Sequence, residues 1–288
     1  MRAEGATVAR ADGPPSSPPA AATPLLAVEG LRKGFGGAAG LQVLAGIGFS
    51  VGEGEFVSVV GPSGCGKTTL LLTLSGLMRA DAGEVRFAGA PVQGGTPAGL
   101  AIVFQDYSRS LLPWKTNLGN VLFGMRRVAG RTTAGKTAHA RELLAAVGLT
   151  GFEKHYPWQV SGGMQQRVAI ARGLASQSRL LLLDEPLASV DAQTRADMQD
   201  LLLGIAQRYG QTCLLVTHDV DEAVYMGDRI VVLSNRPTRV VREIAVSLPK
   251  PRTQLETHES SAFLEIRHEV LALIRAERRS VDGAGAAP

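Results

Sequence analysis

What most constrains the fold of this chain is a set of short, almost wholly apolar runs separated by segments of helical period. The runs lie at residues 56–60, 100–104, 180–183, 213–216 and 230–233, each bounded by glycine or polar residues. A strand with one wet face alternates apolar and polar side chains, so a run without that alternation fits a strand covered on both faces. Segments 68–77, 138–147, 165–175 and 194–208 read as the helices between them. Strands alternating with helices predict an α/β fold with a mainly parallel sheet. Strand-like text with glycine-rich turns runs from residue 25 through 87, and residues 106–160 carry helical pattern without a strong strand, as an inserted helical subdomain would.

The two ends differ from this middle. Residues 1–24 are rich in Ala, Pro, Ser and Thr and read as a disordered tail without the apolar stretch of a secretory signal. Beyond Pro249 and Pro251, in an extension over 251–288, Phe263, Ile266, Val270, Leu273 and Ile274 share one face of an amphipathic helix expected at about 261–279. Whether it docks on this chain or on a partner is open at this stage. The chain has 288 residues, 45% of them hydrophobic, enough for a substantial core. Its net charge of +4 is too weak and too diffuse to argue for nucleic acid. No apolar run of the ~20 residues a membrane span needs is visible. Cys65 and Cys213 make no disulfide framework, so a soluble, cytosolic chain with reduced thiols is expected.

Gly61-Pro62-Ser63-Gly64-Cys65-Gly66-Lys67-Thr68 follows one apolar run and opens a helical segment. Glycines at this spacing let backbone N–H groups turn inward around phosphate oxygens, and the helix N-terminus adds positive partial charge. In such a loop the lysine faces the β- and γ-phosphates and the hydroxyl of Thr68 faces Mg²⁺. The run at 180–183 ends in the adjacent carboxylates Asp184 and Glu185. At a strand's C-terminal end beside a phosphate loop, Asp184 can hold Mg²⁺ through water, and Glu185 can polarise an attacking water; read alone, the pair is a solvated turn. Ser161-Gly162-Gly163-Met164-Gln165-Gln166-Arg167 reads bare as an N-cap and a flexible turn, although a serine hydroxyl and free helix N–H groups also suit a γ-phosphate.

In this order, with Asp191 and His218 behind them, these motifs make the sequence resemble the nucleotide-binding subunit of ATP-binding-cassette (ABC) transporters over about residues 25–250. The resemblance implies an α/β P-loop NTPase: a RecA-like parallel core, an antiparallel β subdomain and the helical insertion at about 106–160. It implies ATP and Mg²⁺ as cofactors. ATP would be held by residues 61–68 with Thr69, by Ser161, Gly162, Gly163 and Gln165, and by Asp191. Phe35 would stack on adenine, or else be a core aromatic. Gln105 would sense Mg²⁺ and the attacking water, and His218 would contact the γ-phosphate beside Glu185. Val160 and Val190 stand where the family commonly has Leu, swaps that keep an apolar side chain.

Leu111-Leu112-Pro113-Trp114, and later Ser234-Asn235-Arg236-Pro237, are similar to importers of nitrate, sulfonate and taurine. That resemblance implies a homodimer on transmembrane permease subunits at the cytoplasmic face of the inner membrane, served indirectly by a periplasmic or lipid-anchored solute receptor. Leu111, Leu112 and Trp114 are expected to form an exposed anchor patch. Importers of another small solute, such as a thiamine-precursor pyrimidine or bicarbonate, and non-transport ABC ATPases are the alternatives. The latter normally carry paired cassettes or a long coiled-coil insertion, for which a single phosphate loop in 288 residues leaves no room.

Overall fold

The structure, a computed structural model, describes residues 23–36, 40–106, 110–188 and 190–284. The expected disordered tail therefore falls, but for its last two residues, outside the described residues. Two sheets form the framework. In the first, β1 (Leu26–Phe35) pairs antiparallel with β2 (Leu41–Val51) and β4 (Ala82–Phe87), and β5 (Ala90–Pro91) closes the edge. The second has the order β10-β9-β3-β8-β7-β6. Its strands β3 (Phe56–Val60), β6 (Leu100–Val103), β7 (Leu180–Asp184), β8 (Thr212–Thr217) and β9 (Arg229–Leu233) are parallel, and β10 (Val240–Ala245) is antiparallel at one edge.

Unbroken apolarity in the central strands has a direct cause. Side chains alternate between faces, and here each face meets its own core. Val57, Val59, Leu182, Leu214 and Val231 pack with Leu70, Leu71 and Leu74 of α1 (Lys67–Leu74) and with the inward residues of the antiparallel sheet. Phe56, Val60, Leu181, Leu183, Leu215 and Val232 pack against helices on the other side. Those helices are α2 (Asn117–Gly124), α3 (Thr133–Ala146), α4 (Gly162–Ala175), α5 (Ala192–Tyr209) and α6 (Val220–Met226), followed by α7 (Gln254–Glu259) and α8 (Ser261–Ala284). Among the described residues none is long and apolar enough to cross a membrane.

Helix limits follow capping rather than apolar spacing. Thr132, Ser161 and Asp191 accept hydrogen bonds from Gly135, Met164 and Thr194 backbone N–H groups. The helices accordingly begin upstream of the first periodic apolar residue, since a cap satisfies orphaned donors whatever the hydrophobic pattern. α1 ends at Leu74, short of the expected residue 77, where Gly76 turns to φ 75°.

In the helical stretch between β6 and β7, the Asn120 side chain binds the Leu112 amide (2.8 Å) and the carbonyls of Leu112, Lys115 and Thr116, pinning that loop. This corrects the expected anchor patch: Leu111 is core, Leu112 is half-buried, and Trp114 alone is fully displayed, at 71% exposure. The C-terminal helix docks on its own chain and runs to Ala284, past the expected end at 279. Phe263, Val270 and Ile274 join the helix-side core, Arg267 pairs with Asp221, and the Asn235 amide N–H donates to Glu277 Oε2 at 3.2 Å.

Leu214 lies at the centre of the parallel sheet with no exposed surface. Leu214→Ala should cost about 2–5 kcal/mol in urea unfolding, whereas Leu264→Ala on the outer face of α8 should stay within about 0.5 kcal/mol.

Candidate active site

The turn from β3 into α1 is built so that backbone, not side chain, lines it. Gly66 sits at φ 111°, and a Cβ there would lie 2.4 Å from Val43 Cγ1, so β2 holds the loop from behind and excludes any larger residue. Thr238 adds a hydroxyl donated to the Cys65 carbonyl. Gly61 and Pro62 are buried, while Ser63 and Gly64 form the open rim. The Lys67 side chain, 6% exposed, is drawn under the loop, its Nζ donating to the Gly61 carbonyl at 3.0 Å and the Pro62 carbonyl at 3.2 Å. Thr68 is exposed and Thr69 half-buried on the first turn of α1. That turn carries no acidic side chain, so its N-terminal partial charge is undiminished. Burial pushes the Cys65 thiol up, against the pull of Lys67, and burial pushes Cys213 up to about 12, so both thiols stay protonated.

Gln105, Asp184, Glu185 and His218 lie at or just past the C-terminal ends of neighbouring parallel strands, the edge at which such sheets bind ligands. Gln105 is exposed just past β6. Asp184 closes β7 at 4% exposure. Its carboxyl is pushed up to about 6, first by burial and next by the Glu185 charge, against opposing pulls from Lys67 and a Thr68 hydrogen bond. Asp184 Oδ1 is buried without a partner among the described residues.

Glu185 takes a left-handed backbone, φ 43°, a conformation a non-glycine residue holds only when its surroundings impose it. Two bonds impose it: the Glu185 N–H donates to the Val216 carbonyl (2.8 Å), and the Ala188 N–H donates to the Glu185 carbonyl (3.2 Å). The result aims the carboxylate at His218, whose Nδ1 lies 3.0 Å from Oε2.

Ser161, Gly162, Gly163 and Asp191 gather elsewhere. With Arg167 and Thr194 they line a recess of about 480 Å³ that includes no residue of the phosphate loop and neither Asp184 nor Glu185. Ser161 Oγ accepts the Met164 N–H at 3.3 Å, and Gln165 Nε2 donates back to the Val160 carbonyl at 3.3 Å, so Gln165 points away from the recess rim. Asp191 caps α5, and the Thr194 amide and hydroxyl hold its carboxyl below the usual range. Phe35 ends β1 opposite Leu41, two residues along β2 from the Val43 that backs the loop. It is 46% exposed with the Lys33 ammonium 5.6 Å from its ring centroid, a display that excludes the core-aromatic reading.

Sequence reasoning missed Arg195, Glu222 and Trp158. Arg195 joins Asp219 (3.2 Å) to the Val190 carbonyl (3.4 Å), and Glu222 is buried beneath Thr217. Asp219-Val220-Asp221-Glu222 has the form of a capping box, the one signal that pointed to Glu222. Trp158 stands out at 70% exposure, stacked on Tyr156, in a segment with no periodicity to read.

A parallel sheet with a phosphate loop after one strand and an acid pair after another defines a P-loop nucleotide hydrolase. The family pattern described as ABC transporter matches residues 44–188. The chain is 45% identical over 233 residues to the aliphatic sulfonates import ATP-binding protein SsuB 1 of Xanthomonas axonopodis pv. citri, covering 81% of this chain and 90% of that protein. It is 41% identical over 261 residues to the taurine import ATP-binding protein TauB of Pseudomonas putida, covering 89% and 98%. A dimeric structure of the cassette MJ0796, in a post-hydrolysis state bound to ADP and Pi, superposes with a TM-score of 0.68 at 31% identity, covering 77% of this chain and 98% of that one. This chain belongs to the ABC transporter family, is an ATP-binding subunit of it, and is an ATPase.

A buried carboxyl titrating near 6 rather than near 3.8 makes the native state lose stability as pH rises from about 4 to 6, because the native state holds the proton longer than the unfolded chain. Without nucleotide, Asp184→Asn should therefore stabilise the protein at pH 7 by about 1–3 kcal/mol and should give no gain at pH 4. Denaturant titrations at the two pH values check this.

Proposed function

We propose that this chain is the ATPase subunit of an importer for a small anion such as a sulfonate, taurine or nitrate, working as a homodimer on membrane permease subunits. The observation that carries the dimer is the separation of Ser161, Gly162 and Gly163 from the phosphate loop within one chain. If both are to touch one ATP, the signature recess must come from a second copy arranged head to tail. In that arrangement residues 25–250 form the ATPase unit, the helical stretch 106–160 faces the permease, and the subunit sits at the cytoplasmic face of the membrane. A solute receptor outside delivers the anion to the permease.

The residues divide the work. Phe35 stacks on adenine, the amides of residues 61–68 take the phosphates, and Lys67 adds the full charge. Thr68 and Asp184, with Gln105 nearby, would hold Mg²⁺. The unpartnered Asp184 Oδ1 and its Thr68 contact fit a hard cation, and because no three His, Cys, Asp or Glu among the described residues could hold a metal, the nucleotide and water supply the remaining oxygens. When bound, the cation neutralises charge developing on the phosphates. Glu185 takes the proton of the water that attacks the γ-phosphorus as the bond to the ADP oxygen breaks, and His218 fixes the orientation of that carboxylate. Ser161 and the two glycines of the partner copy complete the enclosure, with Asp191 alongside, and loss of the γ-phosphate removes what held the copies together.

Toward the permease, a groove of about 610 Å³ runs between the edge strand β6 and α2, and its wall includes Phe123, Arg126, Arg127 and Arg172. Arg172 ties this wall to Ser110, donating to its hydroxyl at 2.9 Å. The displayed Trp114 lies on the same loop system, and the Asn117 N–H bonded to the His155 carbonyl (2.7 Å) ties that loop to the segment bearing Trp158. Aromatic and arginine side chains displayed together are what a partner helix uses as anchors.

Two experiments test the reading. Glu185→Gln should bind ATP, lose hydrolysis by ~10²-fold or more, and elute as an ATP-dependent dimer, whereas Lys67→Ala should lose ATP affinity and stay monomeric; an active, monomeric Glu185→Gln protein would overturn both the base and the dimer. Trp114→Ala should leave basal ATPase activity and melting temperature near the parent values and reduce permease-coupled transport several-fold in reconstituted vesicles.

A further inference from the structure

Behind the Glu185–His218 pair lies a cavity of about 10 Å³ lined by Glu185, Arg195, Thr217, His218, Asp219 and Glu222. That is the space of a single water centre. Two polar atoms of its lining residues are buried and have no hydrogen-bond partner among the described residues: Glu222 Oε1 and Arg195 Nε. Every other contact of these two side chains is accounted for. Glu222 Oε2 accepts the Thr217 hydroxyl, and Thr217 Oγ1 in turn accepts the Asp219 N–H at 3.0 Å. Arg195 uses its Nη atoms on Asp219 and on the Val190 carbonyl. A buried donor and a buried carboxyl oxygen left unpaired beside a water-sized space each cost about 1–3 kcal/mol unless something satisfies both.

We propose that Glu222 is a positioning residue for hydrolysis, holding with Arg195 one ordered water whose hydrogens restrain the Glu185 carboxylate. The inference rests on the reading of Glu185 as the base. Because Glu222 Oε2 is an acceptor from Thr217, a proton on Glu222 sits on Oε1, the oxygen left without a partner among the described residues. The neutral acid and Arg195 Nε then both donate to the water, and both water hydrogens are left for the carboxylates of Glu185 and Asp219. Ionised Glu222 must instead accept a water hydrogen, which takes one away from that pair. The carboxyl is pushed up to about 7, first by burial and further by Asp219 and Glu185, against Thr217 and Arg195. The groups facing it are Arg195 of α5, Glu185 after β7, and His218 and Asp219 after β8. Asp221, on its own helix, is occupied by Arg267 of α8. Both states are thus reachable near neutrality, and the restraint on Glu185 weakens as pH rises through about 7.

The test uses the full chain and steady-state ATP hydrolysis across pH 6 to 9. Glu222→Gln presents an amide donor where the neutral acid presents its proton, so the decline of kcat above neutral pH that Glu222 imposes on the parent should disappear. Glu222→Leu and Arg195→Lys should each lower kcat about ten-fold with the KM for ATP within about two-fold. Their effects should be strongly less than multiplicative in the double variant, because either one releases the same water. A high-resolution crystal structure should show ordered density within about 3.2 Å of both Glu222 Oε1 and Arg195 Nε. An unchanged pH profile in Glu222→Gln, multiplicative losses in the double variant, or a dry cavity would overturn the proposal. Should Glu222→Gln fail to fold, Arg195→Lys and the water density still decide it. Retained activity in Glu185→Gln would instead fail the base assignment, and the water density would then stand alone.

Discussion

The parallel register of β3, β7 and β8 is the constraint on which the chemistry of this protein depends. Val60 lies opposite Thr217, and Asp184 lies opposite Val216. The phosphate loop, the acid pair and the His218 segment therefore emerge side by side from one edge of one sheet. The contacts between those segments, Glu185 with His218 and Asp184 with Thr68, form because the strands that carry them are buried on both faces and held in register. A one-residue slip of β7 would exchange Leu181 and Leu183 for Leu180 and Leu182 between two separate cores and move Asp184 and Glu185 off the edge.

On that frame, charge is arranged under tension. Lys67 is the buried cation of the loop, and its partners are loop carbonyls rather than a carboxylate. Asp184 stands near it, Glu222 lies buried near Glu185, and both carboxyls have affinities for protons well above the usual range because burial opposes their charge. The strained backbone of Glu185 belongs to the same pattern, since two hydrogen bonds hold a conformation that local preference disfavours.

Remote parts of the chain also bear on the loop. α8 reaches Asn235 through Glu277; three residues on, Thr238 bonds the Cys65 carbonyl and the Val43 carbonyl. The Arg236 guanidinium, between them, lies 3.1 Å from where a Cβ of Gly64 would be, closer than an ordinary van der Waals contact. The C-terminal helix thus closes the helix-side core and, through one short loop, backs the phosphate-binding turn.

The sequence by itself determined the five parallel strands, the phosphate loop and the acid pair. Each is written in contiguous residues: unbroken apolar runs, glycines at fixed spacing before Lys67, and Asp184-Glu185 at a run's end. Two helix starts were less legible, because Thr132 and Asp191 set them through side-chain caps that apolar spacing does not register, whereas Ser161 read as a cap from the sequence. The display of Trp114 was legible, but the burial of its neighbour Leu111 was not, since a four-bond clamp by Asn120 pins that loop. Only the tertiary structure separated the Ser161–Asp191 recess from the phosphate loop, and only it brought Arg195, Glu185 and Glu222 around one small cavity. Those residues come from the end of β7, from α5 and from α6, and their meeting is fixed by how α5 and α6 pack on the sheet, a property of tertiary packing that no local pattern carries.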